Sequence, residues 1–185
     1  MKKLLLLSGL MVAALGAYAQ GTVNFANGAS GVDAPITNGI PGSPTPSVRA
    51  DNTFRAQLYV GPAGTANQAL LSTNGVSGTP ATLLSGGGAG YFLGNARDIT
   101  GFAPGSVVTL QVRAWSTSGG ATSWESATGL FRGESNLIQT GLGGGTIPTP
   151  NMLGLQGFVV GIPEPSSIAL GLLGLGAIVL FRRRK

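Results

Sequence analysis

The chain is 185 residues long, with 32 glycines, charged side chains at only 9%, and neither histidine nor cysteine. That composition removes thiol nucleophiles, Ser-His-Asp triads, imidazole bases and ordinary structural zinc sites. The formal net charge of +5 suggests a nucleic-acid binder only until the charges are placed. Six of the eleven cations lie near the two ends, and residues 20–162 hold five arginines against five acids. That body is neutral and lacks the electrostatic footprint that phosphate binding requires.

Lys2 and Lys3 precede an apolar run over residues 4–15, and Ala17-Tyr18-Ala19 fits the small-x-small rule for signal peptidase. Residues 1–19 therefore read as a cleaved signal helix, with Gln20 the first residue of the exported protein. A retained N-terminal helix is the alternative, but the run is short for a membrane span.

Beyond Gln20, short apolar runs are separated by glycine clusters with Ser, Thr and Asn, the punctuation of loops joining strands. Residues 22–26 alternate polar and apolar. So do residues 54–60, where Phe54, Ala56, Leu58 and Val60 alternate with Arg55, Gln57 and Tyr59. The best run is 107–115, with Val108, Leu110, Val112 and Ala114 on one face and Thr109, Gln111 and Arg113 on the other. Both patterns predict half-buried strands with a polar outer face. Further strands are expected at 81–84, 91–93, 130–132, 136–140 and 155–160. Residues 29–47 contain Pro35, Pro41, Pro44 and Pro46 and read as a long surface loop, with a second hinge at 146–150.

No stretch of the body sustains a helical period. The expected fold is all-β, a single β-sandwich of jelly-roll or related type over residues 20–160.

Three kinds of site deserve weighing in this body. Two of its five acids (Asp33, Asp51, Asp98, Glu125, Glu134) could form a glycosidase pair, although any sandwich with five acids offers such pairs by chance. Asn24, Asn27, Asp33, Asp51 and Asn52 carry oxygens suited to Ca2+, but their spacing matches no EF-hand loop, and no metal site is assigned. Trp124, Tyr59 and Trp115 offer aromatic faces for sugar rings, with Trp124 and Tyr59 the better contacts; burial in a core or rim is the commoner fate of such residues.

The C-terminal end carries the sharpest signal. Pro163-Glu164-Pro165 is followed by an uncharged stretch over residues 166–181, then by Arg182, Arg183, Arg184 and Lys185. Two prolines around one residue hold a segment extended for presentation to a protease. The uncharged stretch reads as a transmembrane helix whose 16 residues rise roughly 24 Å, short of the ~30 Å hydrocarbon core unless Arg182 snorkels. Gly171, Gly174 and Gly176 place small residues within it, either for helix packing or merely as weak points in a disposable tail. The basic cluster resists translocation and serves as a cytoplasmic stop.

This order of parts, over residues 161–185, resembles the PEP-CTERM sorting signal. The resemblance implies recognition at Pro163, Glu164 and Pro165 by an exosortase, a membrane enzyme that cuts near the motif and passes the body to an acceptor. A simple tail anchor with a chance Pro-Glu-Pro string is the alternative. The body also resembles small secreted β-rich proteins that carry this signal in Verrucomicrobia-like bacteria. The likeness rests on residues 21–27, 56–59, 111–115 and 131–135 and implies no activity.

The expected protein is an exported, non-enzymatic structural or adhesive component. It would pass from a membrane-anchored precursor to the cell surface or exopolysaccharide matrix. Its processing partners would be signal peptidase and exosortase, with no nucleic acid and no cofactor. A carbohydrate-binding module and a carboxylate-only glycoside hydrolase are the alternatives. Replacing Glu164 or Pro165 by alanine is expected to leave an uncut, membrane-retained precursor, visible by immunoblot of fractionated cells.

Overall fold

The computed structural model describes residues 20–39, 48–129 and 131–161. Among the described residues ten strands follow one another: β1 (Gly21–Ala26), β2 (Ile36–Asn38), β3 (Val48–Arg49), β4 (Phe54–Pro62), β5 (Ala81–Thr82), β6 (Leu93–Ile99), β7 (Val107–Ser116), β8 (Arg132–Glu134), β9 (Ile138–Gly141) and β10 (Phe158–Val160). Helix is limited, among the described residues, to three-residue 3-10 turns. The described fold is all-β. None of its helices is long and apolar enough to cross a membrane. The expected signal helix at 1–19 and the span at 166–181 lie outside the described residues.

The longest strand organises the largest sheet. β7 runs antiparallel to β4 from Phe54 opposite Ser116 to Pro62 opposite Val108. Its other edge is shared, with β9 pairing at Val107–Leu110 and β8 at Arg113–Trp115. Val108, Leu110, Val112 and Ala114 are fully buried and join Ala56, Leu58 and Val60 of β4 in one core. Val23 and Phe25 of β1, Ile36 of β2, Phe92, Ile99, Leu142, Met152 and Val160 belong to the same cluster. Each large aliphatic side chain so buried contributes roughly 1.5–3 kcal/mol.

The polar faces expected on β7 and β4 do not all meet solvent. Thr109 is 1% exposed, Gln111 0%, Arg113 7%, Trp115 0% and Tyr59 3%. The reason is tertiary: loop segments lie over this face of the sheet and supply its hydrogen bonds. Thr65 N–H donates to Thr109 Oγ1 at 3.2 Å, and Trp115 Nε1 donates to the Ala121 carbonyl at 3.3 Å. Trp115, Ala121 and Ala127, with Trp124 packed beside them, form a second, small apolar cluster.

The described part of the proline-rich stretch, residues 29–39, also departs from expectation, while residues 40–47 lie outside the described residues. Val32, Ala34 and Ile36 are buried in alternation, and β2 is the middle strand of a three-stranded sheet between β10 and β3. Three alternating apolar residues suffice once neighbouring strands supply the pairing; the prolines hid that pattern. β6 extends well beyond the expected 91–93, because pairing with β1 imposes a strand on the polar sequence Gly94 to Asp98. Conversely, β10 occupies only the end of the expected 155–160 strand, and β8 lies two residues later than expected. The supposed hinge at 146–150 is tied down, since Asn24 N–H donates to the Pro150 carbonyl at 2.8 Å.

β10 joins two sheets. It pairs in parallel with β2, Phe158 opposite Ile36 and Val160 opposite Asn38. Immediately after it, Gly161 exchanges two backbone hydrogen bonds with Arg132, each 3.1 Å. The approach of β10 to β8 needs Gly133: a β-carbon there would collide with the Val159 carbonyl oxygen and lie 3.1 Å from Val160 Cα. The Gly133→Ala substitution is therefore expected to destabilise the body by about 1–3 kcal/mol, the usual cost of overpacking. Urea unfolding of the exported body measures it.

Candidate functional site

Arg113, on the covered face of β7, gathers most of the chemistry in the fold. Its guanidinium carbon lies 4.1 Å from the Tyr59 ring centre and 4.8 Å from that of Trp124. Nε donates to Gln111 Oε1 at 2.9 Å and Nη2 to the Gln68 carbonyl at 2.7 Å. Glu134 Oε2 forms an ion pair with Nε at 3.6 Å. With its amide nitrogen turned toward that carboxylate, Gln68 donates to Glu134 Oε2 at 3.1 Å. A buried cation needs this many partners, because desolvation would otherwise cost more than its pairing returns.

The cluster brings together both aromatic residues singled out for sugar contact, and occupies them. Tyr59 is buried, and its hydroxyl donates to Glu125 Oε1 at 2.6 Å. Trp124 carries a second guanidinium, Arg132, 4.4 Å from its ring centre, and donates Nε1–H to the Gly133 carbonyl at 3.3 Å. Cation–π contacts of this kind contribute about 0.5–2 kcal/mol each. The arrangement clasps the Trp124–Glu125 loop and the Gln68 turn onto the sheet.

The remaining candidates fall into separate local bonds. Asp51 Oδ1 accepts from the Thr53 N–H at 3.0 Å and its hydroxyl at 2.6 Å, closing a turn next to Asn52. Asn24 Nδ2 donates to Asn151 Oδ1 at 2.7 Å. Asn27, fully buried, brackets three segments: Nδ2 donates to the Ala34 and Gly90 carbonyls, and Oδ1 accepts from Phe92 N–H. Among the described residues no group of three Asp or Glu side chains could hold a metal ion.

Asp33 has a different setting. It lines an open groove of about 450 Å³ together with Gly28, Val32, Leu84, Gly88, Tyr91 and Leu93. Tyr91 hydroxyl donates to Asp33 Oδ1 at 2.6 Å, and the Arg49 guanidinium lies 5.0 Å from the Tyr91 ring centre. Arg49 reaches that position by crossing Gly90, whose φ of +85° and crowding by Arg49 Cδ exclude a side chain. Tyr91 and Gln68 escaped the sequence reading as site residues, Arg113 was expected only on an outer polar face, and Glu134 entered only as one of five candidate acids. For Arg113 the local pattern pointed the other way, since an antiparallel strand with alternating polarity commonly leaves its polar face in water.

Pro163, Glu164, Pro165, the basic residues 182–185, Ala17 and Ala19 lie outside the described residues; Gln20 is exposed. Residues 161–185 match the family described as the PEP-CTERM protein-sorting motif. The chain carries a PEP-CTERM sorting signal, which implies an exported protein, sorted to the cell surface and processed by an exosortase. No curated protein and no solved structure matches the chain.

Two titrations report on the clasp. Burial, then the hydrogen bond and charge of Glu125, push the Tyr59 phenol above its ordinary 10.0. Partial burial alone would raise the Glu125 carboxyl. The Tyr59 hydroxyl, local backbone and Ser123 hydrogen bonds and the Arg113 charge outweigh it and hold that carboxyl below its ordinary 4.5. The depressed Glu125 stabilises the fold above pH 4.5 and loses that contribution as pH falls through its folded value. The raised Tyr59 contributes fully below pH 10.0 and loses its contribution as pH rises beyond. Tyr59→Phe is expected to cost about 1–2 kcal/mol near neutrality. It should also flatten both limbs of the stability–pH curve, measured by urea unfolding from acid to alkaline pH.

Proposed function

We propose that this chain is a non-enzymatic structural or adhesive protein of the cell surface or exopolysaccharide matrix. Its three sheets would close into one jelly-roll-like sandwich delivered by the C-terminal signal. The observation that carries the reading is the sorting motif at 161–185, joined to the body at Gly161, the last paired residue of the described fold. A neutral body without histidine or cysteine agrees with it. In the precursor, residues 166–181 would hold the chain in the membrane until the exosortase acts. Intact mass of the protein from its native host tests this: the expected mature species begins at Gln20 and ends near Pro165, with any added mass reporting the acceptor. A sole species ending at Lys185 would make the tail a permanent anchor.

A second reading, carbohydrate binding, draws on the Tyr91 groove. There an aromatic ring, a carboxylate and a guanidinium adjoin the exposed apolar residues Leu84 and Leu93. That chemistry suits a sugar, with an apolar ring face and hydroxyls at its edge. The Trp124 and Tyr59 rings are less available, being stacked under arginines. Polysaccharide pull-down is expected to fail with Tyr91→Ala and to survive Trp124→Ala; the reverse result would move the site to the Trp124 loop. The carboxylate-only hydrolase reading would draw on Glu125 and Glu134, which flank Arg113. Each already holds a protein partner, so this reading ranks behind the other two. Bound Ca2+ has no specific observation in its favour.

A further inference from the structure

The sorting motif begins inside the fold. Its first matched residue, Gly161, is also the residue that exchanges two 3.1 Å backbone hydrogen bonds with Arg132 of β8. A single residue, Ile162, separates Gly161 from Pro163 in the sequence, and one extended residue spans only about 3.3–3.6 Å. Just upstream, β10 is paired with β2 through Val160, whose carbonyl also accepts from Gly39 N–H at 3.1 Å. Val160 is fully buried, and the β8 side of the seam is tight enough to require glycine at 133.

Proteases and transferases that take extended peptides hold them by main-chain hydrogen bonds on the groups flanking the target bond. Residues 158–161 lie just N-terminal to the Pro-Glu-Pro motif, and their main-chain pairing is already committed to β2 and, at Gly161, to β8. They cannot serve the sheet and an enzyme cleft at once.

We propose that β10 is a gate on processing: the exosortase engages the Pro163-Glu164-Pro165 segment only when the last strand has peeled from β8 and β2. The inference rests on the sorting reading above. The cut itself breaks one peptide bond. Its acyl side stays with the body and passes to water or an acceptor nucleophile, and the freed amine leaves with the C-terminal segment. The gate acts before that step by setting the fraction of chains in which the flanking residues are accessible. Terminal strands open locally at far lower free energy than the whole fold, and β10 is short and paired in parallel on one side. Opening it is thus compatible with an otherwise folded body.

The test is pulse-chase of the full-length precursor in its host, comparing wild type with a variant carrying a flexible Gly-Ser spacer of about eight residues between Gly161 and Ile162. The spacer leaves β10 docked and Ile162 next to the motif while lengthening the tether between Gly161 and the motif. Processing several-fold faster than wild type is the expected result; an unchanged or slower rate overturns the gate. Gly133→Val, which should force β10 off β8, is expected to speed processing in parallel with faster amide exchange at residues 158–161. Should that variant fail to fold, the spacer variant decides alone. Glu164→Ala separates the two levels of the argument. If it is processed normally, the sorting reading fails; if it stays uncut while the spacer changes nothing, only the gate fails.

Discussion

The β4–β7 ladder is the constraint from which the remaining architecture follows. Two long strands in continuous antiparallel register satisfy each other's backbone groups and align Ala56, Leu58 and Val60 with Val108, Leu110 and Val112 on one face. That apolar face must be covered, and β1, β2, β6 and β10 are the segments that cover it. The free edge of β7 must be paired as well, which β9 and β8 accomplish in turn. Because β7 is central, neither of its faces has unrestricted access to water, and the polar side chains on its second face must find partners within the protein.

Arg113 shows how that second face is satisfied. A guanidinium in a nearly dry position is tolerated because two aromatic rings, a carboxylate, a side-chain amide and a main-chain carbonyl surround it. The same partners come from distant parts of the chain: Gln68 from one loop, Trp124 from another, Glu134 from β8. One buried cation thus fixes the position of two loops that have little apolar surface of their own. In a chain poor in large hydrophobic side chains and without disulfides, a polar clasp of this kind does what a larger core does elsewhere.

The junction between body and sorting signal follows similar logic. β10 contributes few residues, yet it joins the three-stranded sheet to the five-stranded one through β2 and, at Gly161, through β8. Gly161, where the sorting-motif match begins, also completes the sheet connection, so under the gate proposed above delivery would be coupled to whether the body is closed.

The sequence by itself determined the all-β class, because period-2 alternation in residues 22–26, 54–60 and 107–115 is a local property of the chain. It also determined the sorting signal, which is a linear string legible in residues 161–185 without any knowledge of the fold. Only the tertiary structure decided that Ile36 heads a central strand, that the polar face of β7 is buried, and that Tyr59 and Trp124 stack on Arg113 instead of facing solvent. Tyr91 joins Asp33, 58 residues away in sequence, for the same reason. Burial and partnership of this kind depend on which segments pack together, and long-range pairing leaves no periodic trace in either partner's own sequence. The prolines of residues 35–46 and the polar run of β6 were misleading on that account: their strands exist because neighbouring strands offer hydrogen bonds, and local propensity yields to that pairing.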